Sequence, residues 1–205
     1  MTTLLADGTY DVPAGKLAVV VTHLEMTSPA PQRPVPEPTG VTFEHVTMPD
    51  PAWYRDLFLR VGGLQWLWTS RLIMPEDDLR AILHAPTTEL YTLQKDGQAE
   101  ALLELSFAEP DTCELAFFGV TEPLIGSGSG RYLMNRALDI VWARPVQRFK
   151  LHTCSLDHPA ALSFYLRSGF TATARQVEIA DDPRLVGDLP KSTGAHIPMC
   201  RPGRS

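Results

Sequence analysis

The chain is poor in cysteine, with three in 205 residues (Cys113, Cys154 and Cys200) and no Cys-x-x-Cys pair. An odd count at these spacings excludes a disulfide framework and fits a reducing compartment. No His, Cys or Asp spacing resembles a zinc site, so no metal is expected. Positive charge is scarce as well. Eighteen Lys and Arg against 24 Asp and Glu leave a net charge of −6 without any basic run, which argues against nucleic acid as the main partner. No apolar run approaches the ~20 residues of a membrane-spanning helix. The start, Met1 to Asp7, lacks the basic and long apolar segments of a secretory signal. The expectation is a cytoplasmic protein with no membrane partner and no internal repeats.

Proline and glycine, in contrast, are plentiful and clustered. Five prolines fall between Ser28 and Gly40, enough to exclude helix or central strand and to predict an extended surface connection. Gly126, Gly128 and Gly130 alternate with Ser127 and Ser129 in five consecutive positions. A strand rich in aromatic and branched residues, Leu115 to Val120, precedes them. A helix with Leu133, Ala137, Leu138 and Val141 on one face follows. Glycines let a backbone approach a ligand closely, and a helix N-terminus adds unpaired N–H donors and partial positive charge. Strand, glycine turn and helix together make a site for a phosphate or pyrophosphate.

Three familiar glycine motifs fail here. A Walker loop needs Lys-Ser/Thr after its last glycine, where this chain has Arg131-Tyr132. A dinucleotide fingerprint needs Gly-x-Gly-x-x-Gly and an acid at the end of the next strand, and Arg148 to Cys154 carries none. A nucleophile elbow needs serine at position 128. The stretch instead resembles the acyl-CoA-binding core of the GNAT superfamily of N-acetyltransferases, whose signature is Gln/Arg-x-x-Gly-x-Gly/Ala after a strand. Gly128 and Gly130 take the small positions, and Ile125 departs from the first one. A second stretch, His158-Pro-Ala-Ala161-Leu-Ser-Phe-Tyr165-Leu-Arg-Ser-Gly169-Phe170, resembles the family's Asn-x-x-Ala-x-x-x-Tyr-x-x-x-Gly-Phe, with His158 in place of asparagine. The resemblance covers about residues 88–172.

That resemblance implies a mixed α/β fold: a central, mostly antiparallel twisted sheet with helices on both faces. Residues 1–205 are expected to form one domain. An N-terminal strand extension would occupy 1–47, the acyl-CoA core 88–172, and an irregular tail 181–205. Strands are predicted at Lys16–Met26, Val41–Val46, Glu89–Lys95, Gln98–Phe107, Leu115–Val120, Arg148–Cys154 and Thr171–Ile179. Asp96-Gly97 is a hairpin turn. Asp50 and Pro51 start a helix expected to stop at Gly62-Gly63. A second helical segment from Leu64 would carry Trp66, Trp68 and Arg71. A third starts at Pro75 and ends near His84.

The resemblance also assigns roles. Acetyl-CoA is the expected co-substrate, and a small-molecule or peptide amine the expected acceptor, with a homodimer as a compatible assembly. The phosphate cradle comprises Ile125, Gly126, Ser127, Gly128, Ser129, Gly130 and Arg131. Val120 would offer backbone groups to the pantetheine arm, and His158 would touch the CoA arm or cap its helix. Glu114 lies 14 residues before Gly128, the spacing of a glutamate base in the histone-acetylating branch. Beside Leu115, Phe117 and Phe118 it would be partly desolvated. Glu104 is the reserve. Tyr165 matches the tyrosine that bonds the CoA sulfur and acts as general acid. Trp66 and Trp68 beside Arg71 suggest an apolar acceptor wall with one fixed charge. Arg71 would suit a carboxylate-bearing acceptor and the acidic net charge a cationic one. A nucleophilic pair of Cys154 with His152 or His158 is the weaker chemistry, since no third orienting group accompanies it. A non-catalytic acyl-CoA-binding module is the competing function class.

Overall fold

Asp96 and Gly97 both adopt positive φ, 50° and 78°, as a two-residue hairpin turn requires. They join β3 (Thr88–Lys95) to the short β4 (Gln98–Ala99), after which β5 (Ala101–Ser106) continues antiparallel to β3. The remaining strands are β1 (Lys16–Met26), β2 (Val41–Val46), β6 (Thr112–Val120), β7 (Arg148–Cys154) and β8 (Thr171–Asp181). This computed structural model describes residues 4–202. Gly203, at the end of the expected tail, lies outside the described residues. The strand order is β2-β3-β5-β6-β7-β1-β8, with β4 beside β3. All pairings are antiparallel except β6 with β7. The expected mixed, mostly antiparallel sheet is therefore the one found. The first strand is no appendage, however: β1 lies between β7 and β8, and its Leu24 and Met26 are buried in the core.

Helices cover both faces. α4 (Ser129–Trp142) makes the crossover between β6 and β7, and α5 (Ala161–Arg167) follows β7 on the same face. Leu133, Met134, Ala137, Leu138 and Val141 of α4 pack there against Leu103, Leu105, Leu115 and Phe149. Truncating a fully buried leucine such as Leu133 to alanine costs about 2–5 kcal/mol. On the opposite face α1 (Pro51–Phe58) and α3 (Glu76–Leu83) bury Tyr54, Leu57, Phe58, Leu79 and Leu83 against Leu90 and Leu102. Asp50 caps α1 by accepting from Ala52 N and Trp53 N, as its sequence predicts.

The glycine pair does not stop the first helix. The chain passes through a π-helical segment at 59–63 into α2 (Leu64–Trp66) and turns only at Leu67, with φ 58°. Glycine at 62 serves packing instead: a Cβ there would lie 2.0 Å from the Trp68 indole. Trp68 and Arg71 consequently sit beyond α2, in the connection to α3, and not on a helix.

The proline-rich segment runs along α4. Gln32 Nε2 donates to Asp139 Oδ1 at 2.6 Å, and Asn135 Nδ2 donates to the Arg33 carbonyl at 2.9 Å. The tail after α6 (Pro183–Val186) is irregular in secondary structure yet tied down. Arg184, 2% exposed, bonds Asp182 Oδ2 at 2.7 Å and reaches the carbonyls of Thr193, Gly194 and Ile197. Gly194 N then donates to the Leu64 carbonyl at 3.0 Å, docking the tail beside Trp66.

Candidate active site

The site begins with a fork in the sheet. β6 and β7 share three rungs, Thr112 with Arg148, Cys113 with Phe149 and Glu114 with Lys150, and then diverge. The divergence coincides with a bulge. Leu105 pairs with Leu115 while Glu104 pairs with Phe117, which leaves Ala116 as the extra residue and bends β6. From Leu115 to Val120 the β7-side edge of β6 has no strand partner, so its backbone groups are free to meet a ligand. A cleft of 710 Å³ fills the gap, bounded by Leu115 to Val120 on one side and His152, Cys154 and Asp157 on the other.

At one end the cleft reaches the glycine turn. Ile125, Gly126, Gly128, Gly130 and Arg131 line it. Gly126 and Gly128 have φ of 78° and 87°, turning the backbone into the start of α4. The cap residue Gly128 has no side chain to offer that helix, Ser127 Oγ takes only the Ser129 N–H at 3.3 Å, and a Cβ on Gly126 or Gly130 would meet no described atom within 4 Å. The open cradle, the uncapped N–H groups and the Arg131 guanidinium suit a pyrophosphate. Ser127 and Ser129 do not line the cleft. Their hydroxyls bond each other at 2.7 Å and brace the turn. Arg131 is steadied by Ser168 Oγ at 2.8 Å and lies over the Phe164 ring. Burial, with Arg33 and Arg167 nearby, lowers its pKa, the direction expected where positive groups gather without a carboxylate.

Midway along the cleft stands Tyr165, 8% exposed. Burial, reinforced by the Asp157 carboxylate, raises its phenol well above the usual tyrosine range. Such a group stays protonated and is a hydrogen-bond donor before it is a proton donor. Asp157 is itself held by three donors. It accepts from Thr153 Oγ1 at 2.6 Å, Cys154 N at 2.9 Å and Trp68 Nε1 at 2.8 Å. Trp66 makes edge-to-face contacts with the rings of His158 and His196, at 5.2 and 5.3 Å. Both tryptophans and His158 line the cleft. His158 Nδ1 accepts from Ala160 N at 3.0 Å, the helix-start role its position suggests. The Cys154 thiol is pushed up by burial and by Asp157, the reverse of an activated nucleophile.

Three expectations about charge need correcting. Glu104 is 1% exposed, accepts from Tyr54 Oη and pairs with Arg71 Nη2 at 2.6 Å, so it has no free oxygen to serve as a reserve base. Arg71 is spent in that same pair, with its guanidinium 5.1 Å from the Phe117 ring centre, and it does not line the cleft. Glu114 is not enclosed by its apolar neighbours. Leu115 and Phe118 turn to the opposite core, and the Glu114 side chain is 36% exposed, with Lys150 Nζ at 3.8 Å and His152 Nδ1 at 4.0 Å. Asp157 is a cleft group that sequence alone gives no role, and His152 enters there only as a weak partner for Cys154. Neither belongs to a motif, and only the fork brings them to the site. Among the described residues no group of three or more His, Cys, Asp or Glu is placed to hold a metal.

The chain is similar to known proteins in sequence and fold. Residues 53–170 match the acetyltransferase (GNAT) family. Over 87 residues, 42% of this chain and 29% of the other, the chain is 36% identical to a mycothiol acetyltransferase of Beutenbergia cavernae. The chain thus spans under a third of that relative's length. A GCN5-related N-acetyltransferase from Sphaerobacter thermophilus shares the fold with a TM-score of 0.56 at 17% identity, over 80% of this chain and 51% of that one. A Bacillus subtilis acetyltransferase solved in complex with CoA aligns with a TM-score of 0.50 at 21% identity, over 65% of this chain and 78% of its own. With more than half of its length matched by the family and its sheet forked beside the glycine turn, this chain belongs to the GNAT acetyltransferase family.

Proposed function

We propose that the protein transfers an acetyl group from acetyl-CoA to a primary amine by direct attack. The observation that carries this reading is the fork between β6 and β7 opening onto the uncapped glycine turn, a slot for a pantetheine arm ending at a cradle for its pyrophosphate. Acetyl-CoA supplies the activated thioester. Backbone N–H groups of Gly126, Gly128, Gly130 and Arg131, those of Ser127 and Ser129 being bonded within the turn, hold the phosphates with the Arg131 side chain. The free edge of β6 through Val120 orients the arm. Tyr165, kept protonated, donates to the departing sulfur. Glu114 belongs to the proton-accepting end of the site, on the face of the sheet that carries Lys150 and His152. The raised Cys154 thiol supports direct attack over an acyl-cysteine route.

The setting of Arg71 bears on the acceptor. With its charge paired to Glu104, no fixed cation remains there to receive a carboxylate. Asp157 and Glu178 among the lining residues, beside Trp66 and Trp68, favour a cationic amine with an apolar body. The test is thiol release on mixing protein, acetyl-CoA and a panel of polyamines, arylalkylamines and amino acids, with products identified by mass spectrometry. Thiol should appear together with an acetylated cationic amine. Binding of acetyl-CoA without thiol release across the panel would support a non-catalytic acyl-CoA-binding module instead.

A further inference from the structure

We infer that His152 is the group that takes the proton from the attacking amine, and that Glu114 acts through it as a positioning residue. The inference rests on the acetyl-transfer reading and assigns the proton's path within that site. Glu114 stands at the last rung that β6 and β7 share, opposite Lys150. His152 is two residues further along β7, so alternation puts its side chain on the same face, one step into the fork. The exposures follow that order. His152 is 54% exposed and lines the cleft, whereas Glu114 is 36% exposed and does not line it.

Of the two ring nitrogens, Nδ1 is the one nearer Glu114. Glu114 Oε1 lies 4.0 Å from His152 Nδ1, a gap that a small rotation of either exposed side chain closes. Lys150 is the competing cation at 3.8 Å, but its ammonium is already held by Glu109 at 2.6 Å. A carboxylate beside Nδ1 selects the tautomer with its hydrogen on that atom and leaves the Nε2 lone pair for an incoming amine. The His23 ring, 6.0 Å away and held by Gln176 at 2.9 Å, backs the imidazole on its β1 side.

The chemistry then balances. The amine nitrogen bonds to the thioester carbonyl carbon and the carbon–sulfur bond breaks. The nitrogen's surplus proton passes to His152 Nε2, and the imidazolium is steadied by Glu114. The thiolate, held by Tyr165, takes a proton from water, and His152 returns its own to water.

The test has two arms. Long-range proton–nitrogen NMR of the histidine rings in the full chain should find His152 as the Nδ1–H tautomer, and Glu114→Gln should move it towards Nε2–H. In the kinetic arm, with the amine from the panel that is turned over fastest, His152→Gln should lower kcat/KM by about 100-fold. The acetyl-CoA Kd should stay within about two-fold. The double variant with Glu114→Gln should be no slower than His152→Gln alone, because the carboxylate has nothing left to act through. An Nε2–H ring in the wild type, or a His152→Gln enzyme of undiminished kcat/KM, overturns the inference. Absence of turnover with every amine overturns the acetyl-transfer reading itself, a failure that the ring tautomer tells apart.

Discussion

Trp68 Nε1 donates to Asp157 Oδ1 at 2.8 Å, joining the connection between α2 and α3 to the turn after β7 across the mouth of the cleft. The pair sets the spacing of two walls that no strand pairing controls, because β6 and β7 have already parted. Trp68→Phe removes the donor and leaves a smaller ring against Phe58 and Phe117. It should cost at least about 1.5–3 kcal/mol in urea denaturation, the range for a hydrogen bond to a charged group, with the lost ring packing added to it. An unchanged midpoint would mean that the bridge is not made in solution.

Arg71, Glu104 and Tyr54 form a second closed unit, under α1. Arg71→Met should destabilise by about 3–5 kcal/mol, because it leaves a buried carboxylate without its cation. Replacing both members, Arg71→Met with Glu104→Leu, should recover much of that loss. If Arg71→Met instead raises KM for the amine while stability holds, the arginine faces substrate and is not paired with Glu104.

Alkaline pH should unfold the protein early. Burial, with Glu104 adding, raises Tyr54 well above the ordinary tyrosine value, and burial with Asp157 does the same for Tyr165. Above pH ~10 the unfolded chain sheds these protons while the folded chain keeps them. The unfolded state then binds fewer protons, so stability, fully present below pH ~10, falls as pH rises further. Each tyrosine contributes a slope of at most about 1.4 kcal/mol per pH unit. Thermal melts between pH 9 and 11 should show the fall, and Tyr54→Phe or Tyr165→Phe should each flatten it.

Tyr165→Phe separates packing from chemistry at the same residue. The ring remains against Phe118, Phe164 and Phe170, so the fold and the acetyl-CoA affinity should hold within a few-fold. Turnover should fall by about ten-fold or more, since only the donor to the sulfur is lost. Undiminished turnover would leave Tyr165 as a core aromatic.

Much of this was legible in the chain itself. The Asp96-Gly97 turn, the Asp50 cap and the strand–glycine–helix unit are local signals, and each lies where its residues point. The misread parts depend on partners distant in sequence. Gly62 reads as a helix stop, but it serves the Trp68 ring six residues on, and the helix passes through it. Arg71 reads as a free cation because nothing near it in sequence shows Glu104, 33 residues away, as its partner. The place of β1 between β7 and β8 is set by pairing across more than 120 residues, and no periodicity encodes it. His152 carries no motif and matters only where the strands fork.

The most direct measurement is calorimetric titration of acetyl-CoA into the wild type and into Gly130→Glu. Position 130 suits the purpose: its backbone is not in the left-handed region and a Cβ there meets no described atom within 4 Å, whereas Gly128 has φ 87° and Val35 at 3.3 Å. The substitution should therefore leave the melting temperature in place while setting a carboxylate in the cradle where a pyrophosphate belongs. The expected result is one site per chain in the wild type and a loss of at least about 100-fold in affinity in the variant. Equal affinity in a folded Gly130→Glu protein, or no binding in the wild type, would contradict the placement of acetyl-CoA in this cleft.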